Sequence, residues 1–139
     1  MALVTTLFQN RASLSLGDRI RYTAFIFNSD PEEFDTVTLK ADIPSNLVLL
    51  PRSVCFTDNS NTFRGYPYTY ERGELKIELP PILCGTGIAV SFVCTKKCPD
   101  FNIEQYELDV KVEGEKSNIV VAQNLCDCYY EDCYYPSFR

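Results

Sequence analysis

A strict alternation of apolar and polar residues runs through most of this chain, and it limits the fold more than any other feature. Leu75, Ile77 and Leu79 alternate with charged residues without a break. The same period of two recurs in residues 19–28, 35–43, 88–94 and 106–112. Successive side chains of a strand point to opposite faces of a sheet, so each segment is predicted to be a half-buried β-strand. No stretch of ten or more residues has a convincing helical period.

Turn-forming residues separate these segments at short intervals. Gly17-Asp18 precedes the first long strand, and Pro44-Ser45-Asn46 follows the next. Glu71-Arg72-Gly73 is predicted to form a tight turn, and residues 114–117 are predicted to join a hairpin. The pattern favours a single all-β domain of about eight to ten antiparallel strands, which is the number typical of a β-sandwich.

Charge and composition exclude several functions for this chain of 139 residues. Histidine is absent, and this removes the commonest general base and zinc ligand and excludes Ser-His-Asp and Cys-His catalysis. The net charge of -6 disfavours binding to a nucleic-acid backbone or to anionic lipid. We expect no enzyme, no cofactor and no nucleic-acid partner.

The start of the chain resembles no export signal. Residues 1–9 carry an apolar patch without the basic start and the small-residue cleavage site of a Sec signal peptide. No apolar run approaches the ~20 residues of a membrane span, so membrane insertion is not expected. The sequence leaves open whether the chain is a mature form or is made in the cytosol and used elsewhere.

The order of several motifs resembles a known family. Gly17-Asp18-Arg19-Ile20-Arg21-Tyr22-Thr23 is followed by Asn28, and residues 37–47 read VTLKADIPSNL. Ser53-Val54 follows, and then comes a segment from Gly73-Glu74-Leu75 to residue 94. This order is similar to the bacterial surface repeat domain called DUF11, and the match covers residues 14–112.

The resemblance implies an immunoglobulin-like β-sandwich that lacks catalytic residues and serves as a spacer, stalk or adhesive module on bacterial surfaces. We divide the chain accordingly into an N-terminal extension at residues 1–12, the sandwich at residues 13–125 and a tail at residues 126–139. The chain departs from the family in its single copy, its many cysteines and its aromatic tail, and these departures suggest a subunit that assembles.

Seven cysteines are candidates for cross-links within or between chains, and their odd number leaves at least one unpaired inside the chain. They are Cys55, Cys84, Cys94, Cys98, Cys126, Cys128 and Cys133. Cys94 lies on the inward side of its predicted strand, so burial as a small apolar residue is as plausible as pairing with Cys84 or Cys55. An all-cysteine zinc site built on Cys94-x3-Cys98 and Cys128-x4-Cys133 is the competing interpretation.

The ends of the chain and one strand face supply the predicted assembly contacts. Residues 2–8 are short and apolar, and they either pair with their own domain or donate a strand to the edge of a neighbour's sheet. Phe25 and Phe27 point outward from their strand as a contact surface, unless a loop or a terminal strand covers them. The candidate assembly residues are Leu3, Val4, Leu7, Phe8, Phe25, Phe27, Tyr129, Tyr130, Tyr134 and Tyr135.

These features predict a self-assembling structural subunit of a fibre or appendage on a bacterial cell or spore surface. Its main partner would be itself, with other surface or spore-coat proteins as further partners. Strand addition and disulfide cross-links would join the subunits. The alternative is a monomeric immunoglobulin-like module that recognises a ligand through its loops, since a fold does not fix a function.

Overall fold

The structure is a computed structural model that describes residues 3–29, 36–58, 61–97 and 103–125. Within these ranges all regular secondary structure is β-strand. The strands are β1 (Leu3–Gln9), β2 (Ser13–Leu14), β3 (Arg19–Asn28), β4 (Val37–Asp42), β5 (Leu47–Leu49), β6 (Cys55–Thr57), β7 (Thr62–Arg64), β8 (Thr69–Glu71), β9 (Glu74–Leu79), β10 (Gly87–Lys96), β11 (Gln105–Leu108), β12 (Val110–Val112), β13 (Glu115–Lys116) and β14 (Val120–Asn124). The strands number more than eight to ten because some predicted strands are interrupted, as β11 and β12 are at Asp109.

The strands form two packed layers. The first layer has the order β1-β3-β10-β6-β7, with β5 beside the far end of β10. The second layer has the order β13-β12-β4-β9-β8, and the small sheet β11-β14-β2 adjoins it because β11 leads directly into β12. All pairings are antiparallel except the short parallel contact of β14 with β2.

The core lies between the inner faces of the two layers, as the alternation predicts. Along β3, every second residue from Ile20 to Asn28 is buried, and β4 and β9 follow the same rule. The rings of Tyr22 and Phe92 pack at 5.5 Å between centroids on adjacent strands. Burial of these apolar faces is the main force that holds the layers together, since a fully buried large side chain contributes about 1.5–3 kcal/mol.

Two hairpin turns place a non-glycine residue in the left-handed region immediately before a glycine. Arg72 (φ 52°) and Gly73 (φ 81°) join β8 to β9, as predicted for this position. Glu113 (φ 50°) and Gly114 (φ 83°) join β12 to β13, so this turn begins one residue earlier than the predicted 114–117 connection. Positive φ at both central residues matches the twist of the paired strands.

The segment predicted as an N-terminal extension belongs to the first layer, where it forms an edge strand. Strand β1 pairs antiparallel with β3 of the same chain over seven residues, from Leu3 opposite Asn28 to Gln9 opposite Tyr22. Leu3 and Leu7 point into the core and are only 3% and 1% exposed. Of the two pairings that the sequence left open, the structure has the one within the chain.

Candidate assembly surface

An exposed aromatic face covers the outer side of β1 and β3, and we define it by Val4, Phe8, Phe25 and Phe27. These side chains are 54%, 52%, 49% and 45% exposed. Val4 lies opposite Phe27 in the strand register, and the rings of Phe8 and Phe25 meet edge to face at 5.4 Å. No described loop or strand covers Phe25 and Phe27. Adjacent exposed apolar side chains of this size are typical of an interaction site.

Small residues on the neighbouring strand leave the aromatic face open on one side. Gly87 lies opposite Phe27, and Ala89 lies opposite Phe25. A Cβ atom added at Gly87 would lie 3.7 Å from the Phe27 ring and 3.3 Å from the carbonyl oxygen of Ile26. The contact with the ring would be an ordinary one, whereas the contact with the carbonyl oxygen would be tight, so glycine at this position avoids crowding against the backbone of β3.

The free edge of β1 is closed by a side chain from the second layer. The Leu7 amide donates a hydrogen bond to Oδ1 of Asn118 at 2.7 Å, and Nδ2 of Asn118 donates to the Leu7 carbonyl at 3.0 Å. The Gln9 side chain donates to the Val121 carbonyl at 2.7 Å nearby. Asn118 thus takes the place of a neighbouring strand at the middle of an edge that would otherwise be open to pairing.

The three cysteines within the described ranges lie in three different environments and are unpaired. Cys55 is half-buried on the outer face of the first layer, opposite Ser91. Cys84 is exposed in the connection before β10. Cys94 lies on the inner face of β10 and is fully buried, so it faces away from Cys55, and about 23 Å of strand separates it from the start of β10. The pairing of Cys94 with either of the other two, which the sequence left open, is absent.

The buried thiol is chemically quiet. Burial raises the pKa of Cys94 from 9.0 to about 12, so it stays protonated at neutral pH and behaves as a small apolar residue. Metal ligation requires the thiolate. No cluster of three or more potential metal ligands occurs among the described residues.

A buried lysine connects β10 to the strand that leads into the tail. Lys96 is fully buried, and its ammonium donates to Oδ1 of Asn124 at 2.6 Å and to the Leu125 carbonyl at 3.2 Å. Asn124 in turn donates to the Ile103 carbonyl at 2.8 Å. This network fixes the end of β14, and the chain enters the tail from there. No pattern in the sequence distinguishes Lys96 or Asn118 as a structural residue.

Eight of the predicted residues lie outside the described ranges, and their role in cross-linking or assembly stays a prediction. They are Cys98 and the tail residues Cys126, Cys128, Tyr129, Tyr130, Cys133, Tyr134 and Tyr135. The described residues bring Val4, Phe8, Phe25 and Phe27 together on one surface, whereas Leu3 and Leu7 belong to the core.

Comparison with known proteins identifies the fold. No protein-family model matches the sequence, and no curated protein matches it. Among solved structures, the N-terminal domain of the Streptococcus gordonii adhesin Sgo0707 matches 88% of this chain with 13% identity and a TM-score of 0.71. The major pilin SpaD from Corynebacterium diphtheriae matches 86% with 13% identity and a TM-score of 0.67. The collagen-binding domain of a Staphylococcus aureus adhesin matches 86% with 10% identity and a TM-score of 0.62.

This likeness establishes an immunoglobulin-like β-sandwich and confirms the predicted fold class. The chain spans about a third of the first two structures, 32% and 35% of their lengths, and 97% of the collagen-binding domain. The more specific resemblance to DUF11 stays a prediction. No helix among the described residues has the length and apolarity needed to cross a membrane.

Proposed function

We propose that the chain is a self-assembling structural subunit of a bacterial surface fibre. The aromatic face carries this proposal, because four large apolar side chains about half exposed on one sheet surface have no partner among the described residues that covers them. The likeness in fold to domains of a major pilin and of adhesins also supports the proposal of a surface-fibre subunit. We place the protein on the cell surface for that reason.

Packing of the aromatic face against a neighbouring subunit would remove the four side chains from water. Each would contribute roughly 1 kcal/mol or more, since burial of a large apolar side chain contributes about 1.5–3 kcal/mol and half of each is already covered. The Phe8 and Phe25 rings pack against each other edge to face, and the small residue Ala89 lies opposite Phe25 on the next strand. The rings therefore stand above the neighbouring strand and are available to pack against another subunit.

Cysteine cross-links would make this contact permanent. Cys55 lies on the same outer sheet surface as the aromatic face, two strands from Phe25 and about 12 Å from it. A partner packed on that surface comes within reach of the Cys55 thiol. The tail cysteines and the exposed Cys84 are the proposed counterparts, and a disulfide would hold the fibre after non-covalent contact has formed.

Exchange of β1 is the second proposed contact. In one chain β1 pairs with β3 and Asn118 closes its edge, and the β1 strand of a neighbour in the same register would make the same bonds. Exchange of an identical element between subunits needs no new interaction. A head-to-tail series of such exchanges does not close, and it would extend as a filament only when packing through the aromatic face adds the contact energy that exchange by itself does not supply.

Negative-stain electron microscopy of the purified full-length protein, with and without reductant, tests the proposal. We expect ordered fibres from the native chain and dispersed particles from Phe25→Ser/Phe27→Ser. Leu83→Ser is the matched control, because Leu83 is 55% exposed but lies outside the aromatic face, and this variant should still form fibres. Far-UV circular dichroism verifies that each variant is folded. A native chain that stays monomeric under all conditions contradicts the proposal.

A monomeric adhesive module is the second candidate. The observation in its favour is that the collagen-binding domain, which matches the present chain over 97% of its own length, is a whole binding domain of this fold. In that case the aromatic face would bind a ligand instead of another subunit. Dispersed particles from the native chain in the microscopy experiment would favour this candidate.

A further inference from the structure

The outer face of the second layer carries a row of four lysines that crosses four adjacent strands. Lys116 on β13 lies directly opposite Lys111 on β12, Lys111 lies opposite Lys40 on β4, and Lys40 lies opposite Lys76 on β9. We call these four residues the lysine row. Like charges directly opposite one another destabilise a sheet, so the fold of the single chain gains nothing from this arrangement.

A row of carboxylates runs beside the lysine row on the same face. Asp42 on β4 lies opposite Glu74 on β9, and Glu74 lies opposite Glu71 on β8. Asp42 lies two residues along its strand from Lys40, and Glu74 lies two residues along its strand from Lys76, so about 7 Å separates the two rows. Asp109, next to β12, lines the same groove of about 470 Å³. We call Asp42, Glu74, Glu71 and Asp109 the acidic row.

The two rows leave most of their charges without an ion pair inside the chain. Among the described residues, the one ion pair made by either row joins Nζ of Lys76 to Glu78, and the separation is 4.0 Å. Lys40, Lys111 and Lys116 are exposed and have no carboxylate within ion-pair distance in that part of the chain. Parallel rows of opposite charge therefore face solvent.

From this arrangement we infer that the outer face of the second layer binds the same face of a second copy of the chain. Two copies can face each other across a two-fold axis that runs between the rows and parallel to them. The lysine row of each copy then lies over the acidic row of the other copy. Lys40 then meets the second copy's acidic row at Asp42, Lys76 meets it at Glu74, and Lys111 meets it at Asp109. Each contact occurs twice, as an isologous interface requires.

Other occupants fit the face less well. A rod-shaped polyanion along the lysine row would lie about 7 Å from the acidic row on one side. It would also approach Glu78 and Glu113 on the other side, and the chain as a whole has a net charge of -6. A second copy offers both signs of charge in the required order. The inference rests on the proposed self-assembly and names a second contact surface for it, on the opposite side of the sandwich from the aromatic face.

Sedimentation velocity of the full-length protein in reductant, at low and at high salt, tests this interface. The measurements are made in the Phe25→Ser/Phe27→Ser background, so that contacts through the aromatic face do not contribute. We expect a dimer whose dissociation constant rises about tenfold or more between 0.05 and 0.5 M salt, since exposed charge pairs are screened. A monomer at all salt concentrations overturns the inference, and fibres from the native chain would still support the proposed function.

Charge exchange supplies the decisive variants. Lys40→Glu/Lys76→Glu should weaken the dimer about 30-fold or more, because four contacts become repulsive, and Asp42→Lys/Glu74→Lys should do the same. An equimolar mixture of the two variants, and a single chain that carries all four substitutions, should both recover association. Failure of either to recover it overturns the inference. A third outcome also overturns the inference: the chain forms no dimer but is retained on a heparin column, and Lys40→Glu/Lys76→Glu abolishes this retention. That result would assign the lysine row to a polyanion.

Discussion

Replacement of Asn118 by alanine should destabilise the sandwich and open the edge of β1. The Asn118 side chain accepts a hydrogen bond from the Leu7 amide at 2.7 Å and donates one to the Leu7 carbonyl at 3.0 Å. Leu7 is only 1% exposed, so its backbone groups have little access to water. Alanine would leave both groups without a partner at the middle of the strand.

The expected loss follows from these two bonds. A neutral hydrogen bond contributes a net of about 0.5–1.5 kcal/mol, and an unsatisfied buried group costs about 1–3 kcal/mol. Water can reach the edge once the side chain is shortened, so we expect the free energy of unfolding to fall by about 1–3 kcal/mol. Asn118→Asp should also lose stability, because its carboxylate can still accept from the Leu7 amide but its second oxygen would face and repel the Leu7 carbonyl oxygen in the place of the Nδ2 donor.

Urea unfolding measures the free energy, and hydrogen exchange of the Leu7 amide reports the edge directly. We expect exchange at Leu7 to accelerate in Asn118→Ala, while the amides of β3 that pair with β10 change only with global stability. Ile119→Ala is the matched control, since Ile119 is 59% exposed and adjacent in sequence. An Asn118→Ala variant within 0.5 kcal/mol of the native chain, with unchanged exchange at Leu7, refutes the reasoning.

Three further predictions concern the core and its ends. Burial raises the pKa of Cys94 from 9.0 to about 12, so folding retains a proton that the unfolded chain loses above pH 9, and stability falls as pH rises. Between pH 8 and 10, urea unfolding in reductant should show a loss about 1.4 kcal/mol larger in the native chain than in Cys94→Ala, and equal losses would contradict the shift. Asn124→Ala removes an acceptor that lies 2.6 Å from the Lys96 ammonium, so the free energy of unfolding in urea should fall by about 1.5–3 kcal/mol. An unchanged unfolding midpoint would contradict this prediction. Deletion of residues 3–9 should expose the edge of β3 and lower the melting temperature, and a truncated chain as stable as the native one would show that β1 contributes nothing to the core.

The alternation of side chains made the fold class and the buried face of each long strand predictable. Leu75, Ile77 and Leu79 could be assigned to the core because the two-residue period of a strand is a local property of the chain. The turn at Arg72-Gly73 was predictable for the same reason, since glycine tolerates positive φ. The outward direction of Phe25 and Phe27 follows from the period as well, but their exposure depends on which elements pack above them.

Pairing partners and register were decided by the tertiary structure alone. The sequence could place residues 2–8 in either of two sheets, because a short apolar strand carries no mark of the partner that it will join. The closure of β1 by Asn118 joins residues 111 positions apart, and the lysine row depends on the alignment of four strands. Local sequence fixes which side of a strand faces the core, whereas long-range packing fixes which strands lie side by side.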